Sequence, residues 1–167
     1  MIAGVPAQIE KVDLGNINKR NFYPVKFETD KLPFSVVGMS DIMPYTSTKY
    51  KNLTVEMLKR YKKEFKKIVT KAVEEFQPEL IITHHLWIVT SLISKIISDI
   101  KVIAISHGTG LRQMKKNPEY SDYVISGAKK LDLVFSLTEH QKEEIINLYN
   151  IDKSKITTLG AGYNSNI

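Results

Sequence analysis

The chain is predicted to fold as an α/β protein: a doubly wound, mainly parallel sheet with helices on both faces. Three observations carry that expectation. Apolar runs begin near residues 80, 101, 132 and 155, and a helix-length segment separates each from the next. Parallel pairing needs crossovers of that size, whereas antiparallel strands can be joined by tight turns. The runs are also close to continuously apolar, the pattern of strands covered on both faces. With 167 residues, 43% of them hydrophobic, the chain holds enough apolar material for one such core and too little for two full-sized ones. One domain spanning 1–167 is expected, irregular over 1–50 and regular in its βα units over 53–167.

The elements follow in order. Pro6, Pro24, Pro33 and Pro44 interrupt the first 50 residues, where only MIAGV and FSVVGM (34–39) read as short strands. Leu58, Tyr61, Phe65, Ile68, Val69, Ala72, Val73 and Phe76 then recur at helical spacing. Asn52 or Thr54 caps that helix, and Pro78 ends it. LIITH (80–84) is a buried strand, WIVTSLISKIIS (87–98) a helix apolar over most of its surface, and KVIAIS (101–106) a second strand. A loop through residue 118 precedes a helix near 119–130. DLVFSL (132–137) is the third strand. Thr138 and Gln141 form a capping box for the next helix, and KITTLG (155–160) is the fourth strand.

Composition narrows the functional classes. The absence of cysteine excludes disulfides and cysteine-ligated zinc, and suits a reducing, cytoplasmic setting. No run approaches the roughly 18 apolar residues of a membrane span, and the N-terminus lacks the pattern of a signal peptide. The net charge of +6 is concentrated in LKRYKKEFKKIVTK (58–71). That cationic face, on a helix expected over 54–76, is either solvated or leans on an anionic membrane surface. No aromatic residues interleave with it on a strand, so nucleic acid is not an expected partner.

In a parallel sheet the loops after the strands lie along one edge, where ligands bind. His84 and His85 follow the first run; Ser106, His107, Gly108 and Thr109 the second; Thr138, Glu139 and His140 the third; Gly160, Gly162, Tyr163 and Asn164 the fourth. All four histidines therefore belong to one rim. Alternation along a strand would send His84 and His85 to opposite faces, so at most one should reach the cleft. His84, His107 and Glu139 lack the spacing of metal ligands, and no metal is expected. Neither HGTG nor GAGYN reads as a dinucleotide fingerprint, since neither is expected to open a helix directly. Arg112 and Gln113 extend the rim with groups suited to carboxylate or phosphate. No Gly-x-Ser-x-Gly elbow supports a hydrolase.

ITHHLW, ISHGTGLRQ, LDLVFSLTEHQKEEIINLYNIDKSKI and LGAGYN, taken in that order, resemble the N-terminal domain of retaining glycosyltransferases of GT-B architecture, the group 1 or family 4 type, over residues 78–167. MIAGVPAQ is similar to that domain's second strand and following loop. The resemblance implies an acceptor-binding, Rossmann-like half of a two-domain hexosyltransferase. The nucleotide-sugar donor would be held mainly by a C-terminal domain, with no other cofactor, and the piece would not be active alone. The family's strand-end His-Gly motif falls on His107, the candidate catalytic residue. His85, Trp87, Gly108, Thr109, Arg112, Gln113, Tyr163 and Asn164 are the candidate substrate-binding residues, for a sugar or glycolipid-type acceptor. The family's first strand, glycine-rich loop and helix have no counterpart before Ile2. Their loss should leave a gap that either rearranges the sheet around MIAGV or is covered by self-association through an exposed edge. The alternative is a stand-alone sugar- or anion-binding module without catalysis.

Overall fold

Phe27 lies at the centre of the first part of the molecule because alternation puts every second residue of YPVKF inward. A computed structural model of the chain describes residues 1–160 and Gly162. The chain divides into two compact units, Met1–Pro78 and Glu79–Ile167.

In the first unit β1 (Ile2–Pro6) pairs in parallel with β2 (Tyr23–Phe27), from Ile2 opposite Tyr23 to Pro6 opposite Phe27. Tyr23, Val25 and Phe27 are buried, whereas Lys26 is exposed. β2 was not expected from the sequence, because Pro24 argues against a strand. The proline is tolerated because β2 has β1 as its one neighbour in a two-stranded sheet, so a position facing the outer side needs no N–H. The strand expected over 34–39 reduces to one bridge between Val37 and Thr48. There Gly38 N donates to Thr48 O at 3.0 Å and Thr48 N to Val36 O at 3.0 Å.

α1 (Val55–Phe76) is capped by Thr54, whose hydroxyl accepts from Met57 N. It ends at Phe76, two residues before Pro78, and the intervening Gln77 adopts a left-handed conformation and donates to Val73 O. Tyr61, Phe65, Val69 and Ala72 form its buried stripe. Phe27 meets Phe34, Tyr61 and Phe65 with ring centroids 5.8, 6.1 and 6.4 Å apart. The expected stripe is thus largely correct, except that Phe76 at the helix end is 55% exposed.

The second unit contains the four strands whose spacing predicts the fold class. β3 (Leu80–His84), β4 (Lys101–Ile105), β5 (Leu133–Ser136) and β6 (Ile156–Thr158) are parallel and lie in the order β3-β4-β5-β6. Their register places His84 beside Ile105, Ile105 beside Phe135 and Phe135 beside Thr157. The strands therefore end nearly level. β3 is an edge of this sheet, with Leu80 44% and Ile82 54% exposed. MIAGV does not join it; β1 belongs to the separate two-stranded sheet.

Helices α2 (Ile88–Ile96), α3 (Thr109–Lys116), α4 (Ser121–Ala128) and α5 (Glu139–Tyr149) connect these strands. α3 corrects the sequence reading, which expected a loop there. HGTG does open a helix directly: Gly108 is the residue before α3. The helix is only two turns long, begins among glycines and stops before Pro118, so it offers too few repeats for a periodic signal. α2 and α4 approach closely through small residues. A Cβ on Gly127 would lie 2.5 Å from Ser91 Cα. Ser91 Oγ donates to Val124 O at 3.0 Å and Ser94 Oγ to Gly127 O at 2.8 Å. Two buried hydroxyls thus bond backbone carbonyls, avoiding the penalty of an unpaired buried polar group.

Leu86 is a second close contact. Tyr149 Oη donates to its carbonyl at 2.8 Å, and a Cβ on Gly110 would lie 2.9 Å from the same oxygen. Substitution of Gly127 by alanine should destabilise the protein by about 3 kcal/mol through overpacking against backbone. Gly15→Ala is not a neutral comparison because φ is positive there; Gly162→Ala, where a Cβ meets nothing within 4 Å, is the control expected to leave the urea midpoint unchanged.

Candidate functional site

The site begins where β3 stops being a strand. His84 is its last residue, and His85 N still donates to Ile105 O at 3.0 Å. His85 then adopts φ 66°. A left-handed histidine costs about 1–3 kcal/mol and needs its surroundings to hold it. Here the His85 carbonyl accepts from Trp87 N at 2.9 Å and from Thr90 Oγ1 at 2.6 Å. Its Nδ1 lies 2.8 Å from Thr109 Oγ1, in the first turn of α3.

This turn corrects the expectation that only one of the two adjacent histidines reaches the cleft. Strand alternation ceases at His85, and both rings meet His107. His84 Nδ1 lies 2.8 Å from His107 Nε2, with the rings stacked at 20° and centroids 5.1 Å apart. The His85 ring centroid is also 5.1 Å from that of His107, tilted by 57°. Two strand ends that are adjacent in the sheet thus bring three imidazoles together. His140, in the first turn of α5, is exposed and has no place in this cluster among the contacts of the described residues.

Two of the three rings favour the neutral form. Burial, followed by the neighbouring His107 and His84, pushes the His85 pKa down to about 4. Burial and His84 also lower that of His107. One proton in the short His84–His107 contact makes a hydrogen bond, whereas charge on both rings would place like charges together. At neutral pH His85 and His107 therefore offer uncharged donors and acceptors, suited to hydroxyl groups.

Gly108 lies at φ 74° and precedes α3 without a side-chain cap. Its left-handed turn needs a residue without a Cβ and places Thr109 against His85. Ser106 is almost completely buried, and its Oγ has no hydrogen-bond partner among the described residues. Arg112 is exposed one turn into α3, where its N–H donates to Gly108 O at 3.1 Å.

Two expected rim residues turn inward. Gln113 is 3% exposed, and its Oε1 accepts from Asn117 Nδ2 at 2.7 Å. The helix that the sequence reading missed carries it into the interior. Trp87 is 1% exposed and meets Tyr120 edge-on, with centroids 6.1 Å apart. It backs His85 through its main chain, its N–H donating to the His85 carbonyl. Tyr163 and Asn164 lie outside the described residues. His84 and Thr109 emerge as partners of the other two histidines. For His84 the missed signal was that a two-histidine strand end followed by Leu-Trp can turn immediately after its first histidine. Among the described residues, no group of three histidine or carboxylate side chains is arranged to hold a metal ion, and no helix is long and apolar enough to cross a membrane.

Imidazole NMR should show His85 neutral down to about pH 4 and His107 titrating below the ordinary histidine range. The sign of the stability effect follows: above pH 6.5 neither state of His85 binds its proton, and below it the unfolded chain does so first. The urea midpoint should fall between pH 6.5 and about 4 and then level off with respect to this group. His85→Phe should flatten that portion of the profile, while a slope unchanged by the substitution would rule His85 out as its source.

No curated protein matches the chain. The family described as Glycosyltransferase Family 4 matches residues 42–166, well over half of the sequence, and this stretch includes β3 to β6 and all three clustered histidines. The match and the parallel α/β architecture agree, and the chain belongs to glycosyltransferase family 4.

Proposed function

We propose that this chain is the acceptor-side half of a retaining, nucleotide-sugar-dependent glycosyltransferase, and that His107 lies beside the transferred sugar. The observation that carries the reading is the three-histidine cluster at the level ends of β3 and β4. A sugar presents hydroxyl groups and no charge, so it is recognised by groups that both donate and accept. In the transfer, an acceptor hydroxyl oxygen bonds the anomeric carbon, the bond to the diphosphate oxygen breaks, and the diphosphate leaves with the electron pair. The acceptor proton passes to the departing diphosphate in the same exchange. The donor's nucleotide is held mainly by a donor-binding domain, without which no sugar is transferred.

His107 hydrogen-bonds a hydroxyl next to the reacting centre, and His84 and His85 hold it from two sides. Gly108 and Thr109 shape the turn beside it. Exposed Arg112 meets an anionic acceptor, such as the phosphate of a glycolipid-type substrate. The open edge of β3, with Leu80 and Ile82 exposed, is the surface through which a second copy would associate. Light scattering tests this: the wild-type chain should be larger than a monomer and Ile82→Lys should restore one, whereas a wild-type monomer removes the association.

In an enzyme that joins this chain to its donor-binding domain, His107→Ala should lower kcat by about a hundredfold, the scale for loss of a preorganised hydrogen-bonding group. Donor affinity should stay within about threefold, since the nucleotide is held elsewhere. Turnover equal to the parent would remove His107 from the reaction. Specific binding of a sugar or anionic ligand by the chain, with no transfer when the donor domain is present, would favour the stand-alone binding module.

A further inference from the structure

The apolar and cationic faces of α1 are sharply separated. Tyr61, Phe65, Val69 and Ala72 are buried, while Lys59, Lys63, the adjacent pair Lys66 and Lys67, and Lys71 are exposed, each step but that within the pair being three or four residues. That spacing makes a single stripe, about 18 Å long at the rise of an α-helix. Glu56 lies 3.0 Å from Arg60 and Glu75 3.7 Å from Lys71, so carboxylates partner the cations at the two ends of the stripe. Glu64 is half-buried and Glu74 exposed on the same helix, but neither forms an ion pair with Lys59, Lys63, Lys66 or Lys67 among the described residues. Lys59, Lys63, Lys66 and Lys67 therefore have no carboxylate at ion-pair distance among the described residues, with Asp30 and Glu64 lining the same surface hollow as Lys59 and Lys63.

We propose that this lysine stripe seats the protein on an anionic lipid bilayer. The charge is complementary to a negatively charged leaflet, and several lysines within one Debye length of the surface act together. The chemistry of the stripe favours this occupant over a nucleic acid. It is almost entirely lysine, a flexible point charge suited to a diffuse array of headgroups, where base edges and discrete phosphates are better matched by the planar fork of arginine. No aromatic side chain lies within the stripe to stack a base. At its leading end Val55 is 87% exposed, an apolar contact for the interfacial region.

The test is cosedimentation of the 167-residue chain with vesicles. Vesicles of phosphatidylcholine with about 30% phosphatidylglycerol should bind it, pure phosphatidylcholine should not, and about 0.3 M salt should release it. The quadruple variant Lys59→Gln/Lys63→Gln/Lys66→Gln/Lys67→Gln should weaken binding by on the order of a hundredfold with an unchanged circular dichroism spectrum. A quadruple glutamate variant should bind still less. Equal binding to neutral vesicles, binding unaltered in folded variants, failure to bind at low salt, or tighter binding to duplex DNA at matched salt would each overturn the proposal.

Discussion

The N–H of His85 donates to the carbonyl of Ile105, and the geometry of the site depends on this bond. It extends the parallel register one residue beyond β3 and keeps the ends of β3 and β4 level. Only then does the backbone of His85 turn to positive φ. Had the chain remained extended, His84 and His85 would have faced opposite sides of the sheet. The turn brings both to His107, which leaves β4 at the same height. The conformational cost is offset by bonds to the His85 carbonyl from Trp87 and Thr90 and by the contact of its ring with Thr109.

The helices hold that turn in place. Leu86, immediately after it, is fully buried and receives the Tyr149 hydroxyl on its carbonyl. The same backbone is approached by Gly110 of α3, where a side chain would overlap it. α3 therefore starts close to β3, and its first residue can reach His85. Interior packing leaves little room for adjustment, so distant glycines and serines contribute to where an imidazole stands at the rim. Trp87 and Gln113 belong to this supporting layer. Both are chemically suited to a ligand, and both are buried among the scaffold residues beside the turn.

The two units use charge differently. At the strand ends, burial first and the neighbouring imidazoles second disfavour protonation of His85, and burial with His84 does the same for His107. Hydrogen bonding between neutral groups is favoured there. On α1, like charges lie at full exposure, where water and salt make their mutual repulsion small. Such a stripe therefore costs little in water. A local hydrogen-bonding site and a broad electrostatic surface are thus present in one chain of family 4.

Sequence alone determined the fold class, the four strands of the second unit, the long helix and the gathering of histidines after the strands. These properties follow from periodicity and from the rule that parallel strands end on one side. It did not reveal β2, because Pro24 opposes a strand unless one edge is open. It did not reveal α3, because two turns beginning among glycines repeat too briefly. Both omissions had consequences, since α3 turns Gln113 inward and brings Thr109 to His85. Tertiary structure alone decided that His84 and His85 share a side, because a residue's face is set by the φ its neighbours stabilise. The bonds that stabilise His85 come from residues as far along the chain as Ile105 and Thr109, beyond the reach of any local pattern.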